Sequence, residues 1–173
     1  MPTVYLALGS NLGDRAVNLL RALEALPPVF NVEARSPVYE TEPMYVETQP
    51  QFLNQVCRAQ TPLLPLEALE CLKLVETDLG RESTFRFGPR LIDLDLLFYE
   101  DLIFDTPILT LPHPRLHERA FVLVPLNDLA PGLIHPKFQL TISELLARLP
   151  EEEKSKVWKK DASTNDPGFS EYR

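Results

Sequence analysis

Strand-like and helix-like patterns alternate along the first hundred residues in the order β-α-β-β-α-β, and few architectures accept that order. Residues 3–8 (TVYLAL) are apolar and β-rich and run into a turn cluster, Gly9-Ser10-Asn11. From Asp14 onward Val17, Leu20, Leu23 and Leu26 recur at helical spacing until Pro27-Pro28 ends the run. Residues 31–40 read as an extended segment that Pro37 marks as an edge or a bulge. A long loop is expected over 41–51, then a strand over 52–60. Pro65 opens a helix with the stripe Ala68, Leu72, Val75 and Leu79, closed by Gly80. An irregular stretch from Arg81 to Arg90 leads into the clearest strand, LIDLDLLFY, over 91–99. The pattern predicts an α+β, ferredoxin-like split βαβ core: an antiparallel sheet with two helices on one face. Additional C-terminal strands and helices follow, among them a helix over Thr141–Leu149 in which Thr141 and Glu144 have capping-box spacing. Residues 1–150 are expected to form one domain, and the polar residues 151–173 a partly disordered surface tail.

With 45% hydrophobic and 24% charged residues, a chain of 173 residues has the composition of a single globular domain. It can bury about 70% of its unfolded surface, so it needs no disulfide or metal staple. A net charge of −8 argues against a partner bound through phosphate-backbone attraction. Cys57 and Cys71 sit in apolar surroundings with no metal-ligand spacing and are expected to be buried, reduced thiols. The first residues lack a basic n-region, and no apolar run approaches the roughly 20 residues that span a bilayer, so a cytoplasmic protein is expected.

The strongest chemical signal is Asp93-Leu94-Asp95. Alternate residues of a strand share a face, so both carboxylates project together from Cα atoms roughly 6.6 Å apart, while Ile92, Leu94, Leu96 and Phe98 fill the buried face. Carboxylates held side by side repel unless a cation or a basic partner intervenes, and oxygen-only ligands at this spacing suit Mg²⁺ completed by substrate phosphates. A solvated face carrying two acids is the plain alternative. Five of the eleven arginines (Arg81, Arg86, Arg90, Arg115 and Arg119) lie between 81 and 119, where no lysine occurs. Guanidinium forks match phosphate oxygens, so arginines around an aspartate pair have the makings of a polyphosphate-metal site. Pairing with Glu82, Glu118, Asp101 and Asp105 is the competing account.

Other signals are weaker. Gly9-Ser10-Asn11-Leu12-Gly13-Asp14 joins a strand to a helix but matches neither phosphate-loop pattern. His113, between two prolines, can donate to a phosphate. Phe52 and Phe121, each near a polar residue, can either pack in the core or sandwich a flat heterocycle whose edge Asn54 reads. A split βαβ can also be an RNA-recognition module, but the aromatic RNA-binding strand is missing. A non-enzymatic regulatory domain and a pyrophosphate-releasing two-metal nucleotidyl enzyme are the other readings.

From Tyr5 to Leu149 these residues resemble one family. The markers are Ala7-Leu8-Gly9-Ser10-Asn11-Leu12-Gly13-Asp14, Tyr39-Glu40-Thr41-Glu42-Pro43, Phe52-Leu53-Asn54, Glu76 with Gly80-Arg81, Phe87-Gly88-Pro89-Arg90 followed by the aspartate pair, and Pro112-His113-Pro114 through Arg119-Ala120-Phe121. The chain resembles the 6-hydroxymethyl-7,8-dihydropterin pyrophosphokinases, which move a pyrophosphoryl group from ATP to a pterin alcohol and release AMP. The resemblance implies that Asp93 and Asp95 hold two Mg²⁺ ions on the phosphates of ATP. It implies ATP contacts at Leu69, Lys73, Glu76, Arg81, Arg90, Leu96, His113 and Arg119, with Arg86 in a segment that closes over the site, so that Arg81, Arg86 and Arg90 join the catalytic set. The pterin would lie between Phe52 and Phe121, read by Asn54 and by Thr41, Glu42, Pro43 and Met44, over a floor of Gly9, Ser10 and Asn11. Expected partners are these two small molecules, with no nucleic acid or membrane, and the chain would act as a monomer or weak homodimer.

Overall fold

The computed structural model describes residues 1–42, 51–80 and 91–160. In chain order the elements are β1 (Thr3–Ser10), α1 (Arg15–Ala25), β2 (Asn31–Arg35), β3 (Tyr39–Thr41), β4 (Phe52–Gln60), α2 (Pro65–Asp78), β5 (Asp93–Tyr99), β6 (Phe104–Asp105), β7 (Thr110–Leu111), a 3₁₀ turn (Leu116–Glu118), α3 (Ala120–Leu129), β8 (Ile134–His135), β9 (Leu140–Thr141), α4 (Ile142–Ala147), α5 (Glu151–Lys154) and β10 (Val157–Lys159). This is a mixed α/β fold. Its main sheet is antiparallel, ordered β10-β3-β4-β1-β5, with β2 pairing the far end of β4.

Local chemistry sets the helix boundaries. Gly13 adopts a positive φ, and the Asp14 side chain then accepts the Val17 N–H to cap α1. Pro65 starts α2, the Glu67 carboxylate accepts the Leu64 N–H, and Gly80 ends the helix at φ +94°. α4 carries the expected capping box between Thr141 and Glu144. α1 and α2 cover one face of the sheet over a core that includes Leu6, Leu8, Leu19, Phe30, Leu72 and Leu94. α3 and α4 cover the other face through Val122, Leu123, Leu126, Ile142 and Leu145.

Four expectations need correction. Gly9 and Ser10 are strand residues rather than a turn, because β1 keeps pairing with β4 as far as Ser10↔Leu53. The buried stripe of α1 is Ala16, Leu19, Ala22 and Leu23, continued by Leu26, and it leaves Val17 and Leu20 half-exposed. Phe98 does not share a face with Leu94 and Leu96. Opposite Tyr5 and Leu6 the register of β5 jumps from Phe98 to Leu96, so Leu97 is the extra residue of a bulge, and Leu97 and Phe98 both pack toward α3. Finally, residues 151–160 are not tail: Val157 is buried and β10 pairs with β3, so only 161–173 of that stretch lie outside the described residues.

Cys57 is buried and Cys71 half-buried, both unbridged. Among the described residues no helix is long and apolar enough to cross a membrane. His135 is buried, its Nδ1 accepts the Lys137 and Phe138 N–H groups, and its ring stacks on Phe138. Burial, then the charges of His117 and Lys137, push its pKa down to about 4. The folded chain therefore stays unprotonated there while the unfolded chain takes up a proton, so stability should fall as pH drops from about 6.5 to about 4, by roughly 2–3 kcal/mol. An NMR titration should place the His135 midpoint near 4; a midpoint near 6.5 would contradict this account.

Candidate active site

The register of four strands assembles one polar row. Tyr39 pairs with Asn54, Asn54 with Gly9, and Gly9 with Asp93. One rung away Ala7 pairs with Asp95, and on the other side Thr41 pairs with Phe52. Residues directly opposite in an antiparallel pair share a face, so Thr41, Phe52, Asn54, Asp93 and Asp95 all project toward the α3 side. Strands lie about 4.8 Å apart, which separates Asn54 from Asp93 by about 10 Å across Gly9.

Each neighbour is held for an identifiable reason. Asn54 is buried and its Nδ2 donates to Thr41 Oγ1 at 2.8 Å, leaving its Oδ1 on the Gly9 side. A Cβ on Gly9 would stand 3.1 Å from that Oδ1 and 3.7 Å from Phe52. Gly9→Ala should therefore displace the Asn54 amide by a few tenths of an ångström and weaken any ligand on this face about tenfold, with the melting temperature nearly unchanged. A ligand affinity unaltered in Gly9→Ala would contradict the placement. Ser10 and Asn11 are buried, and Asn18 of α1 donates to Ser10 Oγ at 3.2 Å and to the Leu12 carbonyl at 2.8 Å. Sequence reasoning missed Asn18, although a polar residue on the buried stripe of a helix was its signal.

The loop after β7 brings the cationic side. His113 N–H donates to the Leu97 carbonyl at 2.9 Å, docking the loop on the outer edge of β5 at the bulge. His113 Nδ1 accepts the Arg115 N–H at 3.2 Å, which places the proton of the neutral ring on Nε2. Burial holds its pKa below the usual range; the nearby Asp95 charge pulls the other way, while Arg119 and Arg115 reinforce the depression. Arg119 precedes α3, its guanidinium carbon 5.5 Å from the centroid of the Phe121 ring. Its Nε is buried without a hydrogen-bond partner among the described residues, a donor awaiting an acceptor. Phe121 packs on the cluster that contains Val56 and Leu97.

The remaining candidates lie behind β5. Leu96 is buried in the core under α1 and α2, and Leu69 packs against that core. The buried Glu76 accepts the Leu94 N–H at 3.2 Å and lies 3.6 Å from the exposed Lys73. These four face away from the aspartates, and among the described residues β5 is an edge strand, so its outer edge joins the two groups. Glu42 is exposed at the end of β3. Pro43, Met44, Arg81, Arg86 and Arg90 lie outside the described residues.

The family model for 7,8-dihydro-6-hydroxymethylpterin-pyrophosphokinase (HPPK) matches residues 5–131. The chain belongs to this family. It is 44% identical over 144 residues to the 2-amino-4-hydroxy-6-hydroxymethyldihydropteridine pyrophosphokinase of Aquifex aeolicus, covering 83% of this chain and 90% of the relative. With the enzyme of the same name from Pseudomonas aeruginosa it shares 42% over 151 residues, 86% and 93% of the two chains. It is also 44% identical to the folic acid synthesis protein FOL1 of Dictyostelium discoideum over 85% of its own length, but it spans only 22% of that longer protein. A crystal structure of Plasmodium falciparum HPPK-DHPS with pterin and p-hydroxybenzoate superposes with a TM-score of 0.73 at 18% identity, over 91% of this chain and 47% of the other, which supports the fold.

Proposed function

We propose that this HPPK-family chain transfers the pyrophosphoryl group of ATP to the hydroxymethyl group of 6-hydroxymethyl-7,8-dihydropterin, giving AMP and the pterin pyrophosphate for folate synthesis. The observation that carries the reading is the row Asn54–Gly9–Asp93, which sets a flat, hydrogen-bonding floor beside two carboxylates at the distance a bicyclic ring would bridge. Phe52 and Phe121 would stack on the pterin, and Asn54 with the backbone near Thr41, Glu42, Pro43 and Met44 would read its edge. His113 Nε2–H and the Arg119 guanidinium would donate to phosphate oxygens, with Arg81, Arg86 and Arg90 as further phosphate ligands. Leu69, Lys73, Glu76 and Leu96 would border the nucleotide where it crosses the edge of β5. The sheet order supports reading the core as ferredoxin-like, with 1–150 as the catalytic unit and β10 appended to it.

Among the described residues no three His, Cys, Asp or Glu side chains converge as a metal site. Asp93 and Asp95 alone would leave most coordination positions to phosphate oxygens and water, the preference of Mg²⁺, and we infer that they would hold two such ions. Bound there, magnesium would neutralise phosphate charge during the transfer. The chain's own residues position the reactants: stacking and edge contacts aim the pterin hydroxyl oxygen at the β-phosphorus as the bond from that phosphorus to the AMP oxygen breaks. The nucleotide product tests the proposal: AMP, formed only when the pterin is present.

A further inference from the structure

Arg15, the first residue of α1, spans two strands from behind the sheet. Its Nη2 lies 2.8 Å from Glu40 Oε1 and its Nη1 donates to the Gln51 carbonyl at 3.0 Å. Lys160 Nζ reaches the same Glu40 oxygen at 3.1 Å. These are not loose surface pairs, since the side chains of Arg15, Glu40 and Lys160 are 23%, 17% and 10% exposed. Burial alone would raise the Glu40 carboxyl, but the hydrogen bonds from Arg15 and Lys160 outweigh it and hold the group ionised below the usual range. Glu40 and Gln51 each precede a member of the last paired rung of β3 and β4, Thr41↔Phe52. Arg15 itself follows the Gly9–Asp14 segment and the Asp14 cap of α1. One planar fork therefore ties together the three segments that supply Thr41, Phe52 and Gly9–Asn11, and a lysine, shorter and with a single nitrogen, lacks the two separate donor arms that hold these acceptors.

We infer that Arg15, with Glu40 as its counterion, is a positioning residue for the pterin side of the site, fixing the spacing of Thr41 and Phe52 from the opposite face of the sheet. The inference rests on the pterin reading of that face. The test is steady-state kinetics of the wild type, Arg15→Met and Arg15→Lys, well below their melting temperatures. Arg15→Met should raise the pterin KM about tenfold while the ATP KM and kcat stay within about threefold, and Arg15→Lys should fall between it and the wild type. If Arg15→Met does not fold, Arg15→Lys decides on the same split. An unchanged pterin KM, or equal rises in both KM values, overturns the inference. A wild type that forms no AMP overturns the reading of the reaction, and the inference with it; an active wild type with insensitive variants overturns the inference alone.

Discussion

Replacing Asp95 by Asn is expected to lower kcat by about 10³-fold, roughly 4 kcal/mol of transition-state stabilisation, at saturating ATP, pterin and Mg²⁺. The amide keeps the shape of the side chain but removes the charge that would hold a hard cation, and Asp93→Asn should behave alike. The fold should not suffer. Asp93 and Asp95 leave β5 on the same face, only half-buried, and neutralising one of two adjacent carboxylates removes repulsion. Without magnesium, the Asp95 variant should melt at or slightly above the wild-type temperature, the pattern of a site that trades stability for activity. Thermal melts and turnover on the same samples check both halves. Activity near that of the wild type would return the aspartates to the status of a solvated strand face.

The second large effect is expected at Asn54. Its amide is buried, anchored to Thr41 Oγ1, and aligned with Gly9 on the floor of the site. Asn54→Leu keeps the branching of the side chain but offers no donor or acceptor, so the polar edge of the pterin would be desolvated without partners. A site built around hydrogen bonds rejects their absence strongly, and kcat/KM for the pterin should fall on the order of 10²- to 10³-fold. The ATP KM should move less than about twofold, because Asn54 stands two strands from the edge at β5. Equal losses toward both substrates would contradict the assignment of this face to the pterin.

What the sequence made legible was mostly local. Alternation over 91–99 identified β5 and put both aspartates on one face, because strand geometry alone decides that. The caps at Asp14, Pro65, Gly80 and Thr141 were readable for the same reason: each boundary is set within a few residues. The bulge at Leu97 was not readable. It depends on the register with β1 and on the His113 N–H arriving from a later loop, so the side chains beyond it switch faces against their local period. β10 was hidden because only Val157 of its three residues is buried, and its partner β3 lies more than a hundred residues earlier. The Arg15–Glu40 contact was likewise invisible, a long-range pairing with no periodic signature. Residue type offered phosphate donation for His113 and Arg119 and either stacking or core packing for Phe121, and the family resemblance favoured one reading of each; the structure adds their common origin around the start of α3 and the outer edge of β5.

The most direct test of the central claim is to incubate the chain with MgATP and 6-hydroxymethyl-7,8-dihydropterin and to separate nucleotides and pterins by chromatography over time. The account predicts AMP and a pyrophosphorylated pterin in equal amounts, with no AMP when the pterin is left out. Formation of ADP, release of free pyrophosphate, or an unchanged pterin would contradict it.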